Sequence, residues 1–89
     1  MTVERIEHFV QPYLNQFQYI DVYMKGRNLQ PVMFIAARDY EELREKNFWR
    51  VVPASNAKQW EKTKDHKLER IFSGSLFSSL RESDINQLQ

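Results

Sequence analysis

Residues 19–37 constrain the fold more than any other stretch, because they predict a strand, a turn and a second strand in immediate succession. In the first run, apolar side chains alternate with more polar ones, as in a strand with one buried face: Ile20, Val22 and Met24. The second run, residues 32–37, is apolar at every position, which is typical of an inner strand covered on both faces. Between the runs, Gly26 and Asn28 tolerate the backbone conformation that a reversal needs. The sequence therefore predicts a β-hairpin on which the other elements pack.

The segment before the hairpin predicts an opening helix over residues 2–17. Its apolar residues follow one another at spacings of three and four: Val3, Ile6, Phe9, Val10, Tyr13, Leu14 and Phe17. Pro12 lies within this stripe, and a proline in a helix interior costs about 3 kcal/mol because it removes a backbone hydrogen bond. We therefore expect a kink at Pro12, or two short helices in place of one.

After the hairpin, helix and strand signals alternate. A helix is predicted over residues 40–46, with Asp39 in the capping position. A strand is predicted over residues 48–52, where β-branched and aromatic residues precede Pro53. The polar stretch 54–66 predicts a loop that contains at most a poor edge strand.

The C-terminal part predicts one more strand and a short helix. Residues 68–72 form the strand candidate, and Ser75 is placed to cap a helix that buries its apolar residues. Residues 84–89 have little to bury and are expected to be frayed or disordered. The sequence thus predicts one compact α+β domain over residues 1–83. Its sheet has three to four antiparallel strands, curved or barrel-like, with the N-terminal helix packed on it and the short helix at the C-terminus.

Composition excludes several classes of protein. The 89 residues include no cysteine and two histidines, which leaves no disulfide framework and no thiolate metal site. The longest fully apolar run, residues 32–37, is far below the roughly 20 residues that a membrane-spanning helix needs. The acidic start of the chain lacks the basic and apolar regions of a secretory signal. We expect a cytoplasmic protein with no membrane partner.

The chain shows no recognisable set of catalytic groups. Glu4 and His8 lie one helical turn apart but supply only two ligands, so a solvated pair is the simpler interpretation. Residues 73–75, Ser-Gly-Ser, lack the flanking glycines of a nucleophile elbow and predict a turn. The expectation is therefore no enzyme activity, no cofactor and no metal.

Aromatic and basic residues carry the main functional signal. Aromatic residues make up 13% of the chain, and both tryptophans lie in residues 44–70, which hold eight basic and four acidic side chains. Tyrosine, tryptophan and arginine are enriched at protein interfaces, and aromatic and basic groups also form the stacking surfaces that bind single-stranded nucleic acid. The candidate surface consists of Tyr19, Tyr23, Arg27, Trp49, Arg50, Lys58, Trp60, Lys62, Lys64, Lys67 and Arg70.

Two functions are compatible with this surface. The first is a small non-catalytic binding module that recognises another protein or its own copy. The alternative is single-stranded nucleic-acid binding through residues 44–70, with Trp49 or Trp60 as the stacking group. A third interpretation makes the aromatic residues core and leaves no such surface. Trp60 is the large apolar residue of a polar segment, and it either anchors that segment to the core or serves as a recognition residue.

Overall fold

A computed structural model describes residues 1–28 and 31–88, leaving aside the side chains of Arg27, Asn28 and Leu88. These residues form a small α+β fold, which confirms the predicted class. The elements are α1 Val3–Val10, β1 Ile20–Met24, β2 Arg27–Asn28, β3 Val32–Phe34, α2 Tyr40–Glu45, β4 Phe48–Pro53, α3 Ala57–Thr63, β5 Arg70–Ser73 and β6 Phe77–Glu82. The described residues thus form six strand segments, more than the three to four predicted.

All strand pairs are antiparallel, and the predicted hairpin forms the middle of the sheet. β1 pairs with β2 and then β3 on one side and with β6 on the other. β3 pairs with β4, and β4 pairs with β5. Across the sheet the order is therefore β6, β1, β3, β4, β5, with the short β2 also paired to β1. The turn after β1 uses Gly26 at φ 88°, a conformation that glycine adopts without a Cβ clash. Residues 29 and 30 of the predicted hairpin lie outside the described residues.

The sheet separates two apolar clusters, and β3 contributes to both. The first face is the side that α1 covers, and its buried residues are Ile6, Val10, Ile20, Val22, Val32, Phe34, Trp49, Val51 and Phe77. The second face carries a smaller cluster: Tyr19, Met33, Ile35, Val52 and Ala57. All three β3 residues are buried, which confirms the predicted inner strand for Val32–Phe34. The strand ends there, short of the predicted residue 37, and Ala37 is exposed. Phe34 is 1% exposed and meets the rings of Trp49 and Phe77 edge-on.

The first helix ends earlier than the apolar stripe predicts. Thr2 caps α1 by accepting a hydrogen bond from the Arg5 amide, and α1 stops at Val10. Pro12 lies in a separate 3-10 turn over Gln11–Tyr13, which is the expected break. No helix within residues 1–28 and 31–88 is long and apolar enough to cross a membrane.

Two segments differ from their predictions. Residues 54–66 contain α3 in place of a loop, because Ala57 and Trp60 lie one helical turn apart and pack on the second face. Residues 77–82 form β6, where a helix capped by Ser75 was predicted. The helix over residues 40–46 is confirmed as α2, but the carboxylate of Asp39 binds Arg50 and does not cap it.

The C-terminal segment contacts the residue that precedes β1. Asp84–Leu88 forms a 3-10 helix. The Asn86 side chain holds the Tyr19 backbone from both sides, accepting from its amide at 2.7 Å and donating to its carbonyl at 2.9 Å. Ile85 packs against the second-face cluster. Gln89 lies outside the described residues.

Gly74 connects β5 to the core through a close approach. Its amide donates to the Asn47 carbonyl at 2.7 Å. A Cβ at this position would overlap the Asn47 side chain and lie about 2.5 Å from the Ile6 Cδ1 atom. Only glycine fits here without displacement of the first-face core.

Candidate binding face

The second face of β4 and β5 is covered at one end only. Trp49 and Val51 belong to the first-face cluster, so the alternation along β4 directs its other residues to the second face: Phe48, Arg50 and Val52. In the antiparallel register, Ile71 of β5 lies opposite Arg50 and therefore shares its face. Residues of α3 cover the Val52 end. We call the remaining surface the open face: Phe48, Arg50, Glu69, Ile71 and Ser73.

A buried carboxylate lies at the inner end of the open face. The Glu69 side chain is 4% exposed and accepts three hydrogen bonds. Its donors are Arg50 Nη1 at 2.9 Å, Trp60 Nε1 at 2.8 Å and His66 Nδ1 at 3.1 Å. Arg50 Nη2 also donates to Asp39 Oδ2. This Glu69 network ties β4, α3 and the residue before α2 to the start of β5.

The network favours the ionised form of Glu69. Burial alone would raise the pKa of this carboxyl, because it disfavours the charged form. Hydrogen bonds from Trp60, His66 and Arg50 act in the opposite direction and outweigh burial, so the pKa is lowered from its usual value. Glu69 is therefore an anion paired with the Arg50 guanidinium at neutral pH.

A groove runs beside this network. It encloses about 340 Å³, and its walls are mostly apolar, with polar groups from Asn15, Lys64, His66 and Glu69. The apolar walls come from Phe17, Ile35, Ala36, Ala37 and Trp60. A shallower hollow adjoins it, shares Ala37 and His66, and extends to Arg50 and Asp39. Within the described residues, Arg50 Nε and Asp39 Oδ1 are buried there without a hydrogen-bond partner.

Two large apolar side chains of the open face are exposed, and a third exposed apolar side chain lies in the turn after β5. Phe48 is 38% exposed, Ile71 47% and Leu76 55%. Phe48 and Ile71 are diagonal neighbours on the open face. Leu76 follows β5 in a 3-10 turn, and its carbonyl accepts a hydrogen bond from the Lys25 amide beside β1. Large apolar groups that cluster on a surface are typical of an interaction site.

The structure places the predicted aromatic residues in different environments. Tyr19 and Trp49 are 7% and 2% exposed and lie in the two cores, so neither is accessible to a partner. Tyr23 is half-buried on β1, with the Arg81 guanidinium 5.7 Å from its ring. Trp60 is half-buried, packs near Phe17 and donates to Glu69, which matches the anchor interpretation.

The predicted basic residues are mostly on the surface, and one of them reaches the groove. Arg50 is in the Glu69 network, and the side chain of Arg27 lies outside the described residues. The exposed residues are Lys58, Lys62, Lys64, Lys67 and Arg70. Lys64 lines the groove, and its Nζ lies 3.9 Å from the centre of the Trp60 ring. Any base that stacks on Trp60 from that side would have to displace Lys64.

Sequence reasoning missed most of the open face. It selected Arg50 but not Glu69, Ile71 or Phe48. A signal was present, because an arginine within a strand of apolar residues needs a buried partner, and Glu69 lies in the next strand candidate, residues 68–72. The pairing of β4 with β5 brings these residues together, and the local sequence of neither strand predicts that pairing.

Comparison with protein-family models, curated proteins and solved structures gives no match. The function is therefore inferred from the residues on the surface of the chain itself.

Proposed function

We propose that this chain is a non-catalytic binding module that recognises another polypeptide on its open face and along β5. The observation that carries the proposal is that Phe48 and Ile71, two exposed apolar side chains, are diagonal neighbours where β5 forms an edge of the sheet. Aromatic and aliphatic side chains grouped in this way keep apolar surface in contact with water, and a partner that covers them removes that unfavourable exposure.

The edge supplies the second element of recognition. β5 pairs with β4 only, within the described residues, so its other side offers backbone donors and acceptors. An extended polypeptide can add a strand there, with affinity from backbone hydrogen bonds and selectivity from side-chain contacts. Ile71 and Phe48 provide those contacts on the open face.

The Glu69 network supports binding by fixing the adjacent surface. Arg50 stands opposite Ile71 and is held by two carboxylates, from Glu69 and Asp39. A side chain that is already ordered loses little conformational freedom when a partner arrives. The network thus prepares the face for binding.

Several features support a non-catalytic role in the cytoplasm. The lone pairs of Glu69 are engaged by three donors, so this carboxylate is poorly placed to accept a proton from a substrate. Within residues 1–28 and 31–88, no three acidic or histidine side chains are arranged to hold a metal ion. The absence of cysteine is compatible with a reducing compartment.

A displayed library of linear peptides, selected on the wild-type protein, tests the proposal. We expect enriched peptides whose affinity falls at least about tenfold on Ile71→Ser, because a central apolar contact is removed. Ser79→Asp, on the opposite edge, is the matched control and should leave the affinity unchanged. Thermal melts establish that both variants are folded. Selection of no peptide, or equal binding to Ile71→Ser and wild type, would refute the proposal.

Single-stranded nucleic acid is the alternative partner, and one observation favours it. Lys58, Lys62, Lys64 and Lys67 are exposed, and within the described residues none forms an ion pair with a carboxylate. Such binding would weaken steeply with salt as counterions are released. Fluorescence anisotropy with single-stranded DNA and RNA at low salt tests it, and absence of binding there would remove the alternative.

A further inference from the structure

We infer that the polypeptide bound at β5 is a second copy of this chain, paired antiparallel through the β5 edge. This inference rests on the proposed function and names its partner. It follows from three properties of β5: the direction of its free backbone groups, the exposed apolar side chain of Ile71, and its capacity to pair with itself.

The register identifies which backbone groups are free. The Ile35 amide donates to the Arg50 carbonyl at 3.1 Å, so Arg50 directs its backbone groups toward the β3 side. Successive residues in a strand alternate in this direction, so Trp49 and Val51 bond to β5. Their partners in β5 are Phe72 and Arg70, and the amide and carbonyl groups of Ile71 and Ser73 therefore point away from the sheet.

The two outer strands of the sheet differ in how they are protected. β6 carries Arg81 and Glu82, and charges of this kind discourage the addition of another strand. The exposed residues of β6 are all polar or charged, Ser78, Ser79, Arg81 and Glu82, whereas β5 exposes the apolar side chain of Ile71. The β5 edge is therefore the one suited to pairing, and the charged β6 edge disfavours a head-to-tail array of copies.

The strand is complementary to itself about a twofold axis. In an antiparallel pair, a residue whose backbone groups point away from its own sheet must lie opposite another such residue. A register centred on Ile71 satisfies this condition. The axis then places Ile71 against Ile71 of the second copy and covers two exposed apolar side chains at once. Arg70, the charged residue of β5, faces Phe72 of the second copy and not another arginine. The net charge of +1 adds little repulsion between copies.

Sedimentation velocity over a hundredfold concentration range tests the inference. Wild type should shift from monomer to dimer as concentration rises. Ile71→Lys should weaken this association at least about tenfold, because it sets two like charges opposite each other on one sheet face. Ser79→Lys, on the β6 edge, should dimerise like wild type. A wild type that stays monomeric, or equal loss in both variants, would overturn the inference.

Cross-linking tests the register directly, because the chain has no cysteine of its own. Under oxidised glutathione, Ile71→Cys should form a covalent dimer much faster than Ser79→Cys. Equal rates in the two variants would contradict pairing at Ile71. If wild type is monomeric but selected peptides still require Ile71, the binding function stands and the second copy is excluded as the partner.

Discussion

Replacing Glu69 with glutamine should destabilise the fold by about 2–4 kcal/mol, because the network around this residue is built for an anion. The carboxylate accepts from Arg50 at one oxygen and from Trp60 and His66 at the other. A glutamine presents one acceptor oxygen and one donor group, so at least one of these partners would face another donor. Arg50 retains Asp39 in the variant, which places the expected cost below that of a fully isolated buried charge.

Urea denaturation at neutral pH measures this cost, with exposed Glu61→Gln as the matched control. The difference between wild type and Glu69→Gln should also depend on pH. Since the pKa of Glu69 is lowered in the folded state from 4.5, its contribution to stability is complete above that pH and is lost as pH falls through the folded-state pKa. The difference should therefore shrink in acid. A cost no larger than that of Glu61→Gln, or a difference independent of pH, would refute the role of the network.

Three further substitutions test the packing, each by thermal or urea unfolding. Phe34→Ala should cost about 3–5 kcal/mol, because the ring is buried against Trp49 and Phe77, and an unchanged melt would contradict the placement of β3. Gly74→Ala should destabilise by more than the about 1 kcal/mol expected for Gly26→Ala, since an added methyl overlaps the core at Gly74 but meets open space at Gly26. The reverse order would show that the approach at Gly74 is looser than described. Asn86→Ala should cost about 1–3 kcal/mol by releasing two backbone bonds, and no loss would indicate that the C-terminal segment contributes nothing.

The middle of the sheet could be predicted from sequence because its signals are local. Alternation in β1 and the unbroken apolar run in β3 each appear within a few residues. The break at Pro12 follows from backbone chemistry alone. These features need no knowledge of distant parts of the chain.

The helix α3 was missed because it buries very little. Ala57 and Trp60 face the second face, and the rest of Ala57–Thr63 is polar. Two apolar residues do not make a recognisable stripe, so the segment resembles a loop. Packing and the bond from Trp60 to Glu69 hold the helix in place.

The strand β6 was mistaken for a helix because of a bulge. Phe77 and Leu80 are three residues apart, which is a helical spacing. In the sheet, Val22 pairs with Leu80 and Met24 with Phe77, and the register shift between these pairs brings both apolar residues to the first face. The partner strand is more than fifty residues away in sequence, so the bulge leaves no local signal.

The open face was only partly predictable for the same reason. Sequence patterns placed Arg50 on a strand, and its need for a counter-charge was foreseeable. The identity of that counter-charge, Glu69, depends on the pairing of β4 with β5. The burial of Tyr19 and Trp49 likewise follows from which faces the helices and the C-terminal segment cover.

The most direct test of the binding face maps it by backbone amide chemical shifts, recorded while the protein concentration is raised or a selected peptide is added. The account predicts that the shifts concentrate at Phe48, Ile71 and Ser73, with smaller changes at Arg50. Shifts concentrated on the lysines of α3, or spread evenly over the sheet, would contradict it.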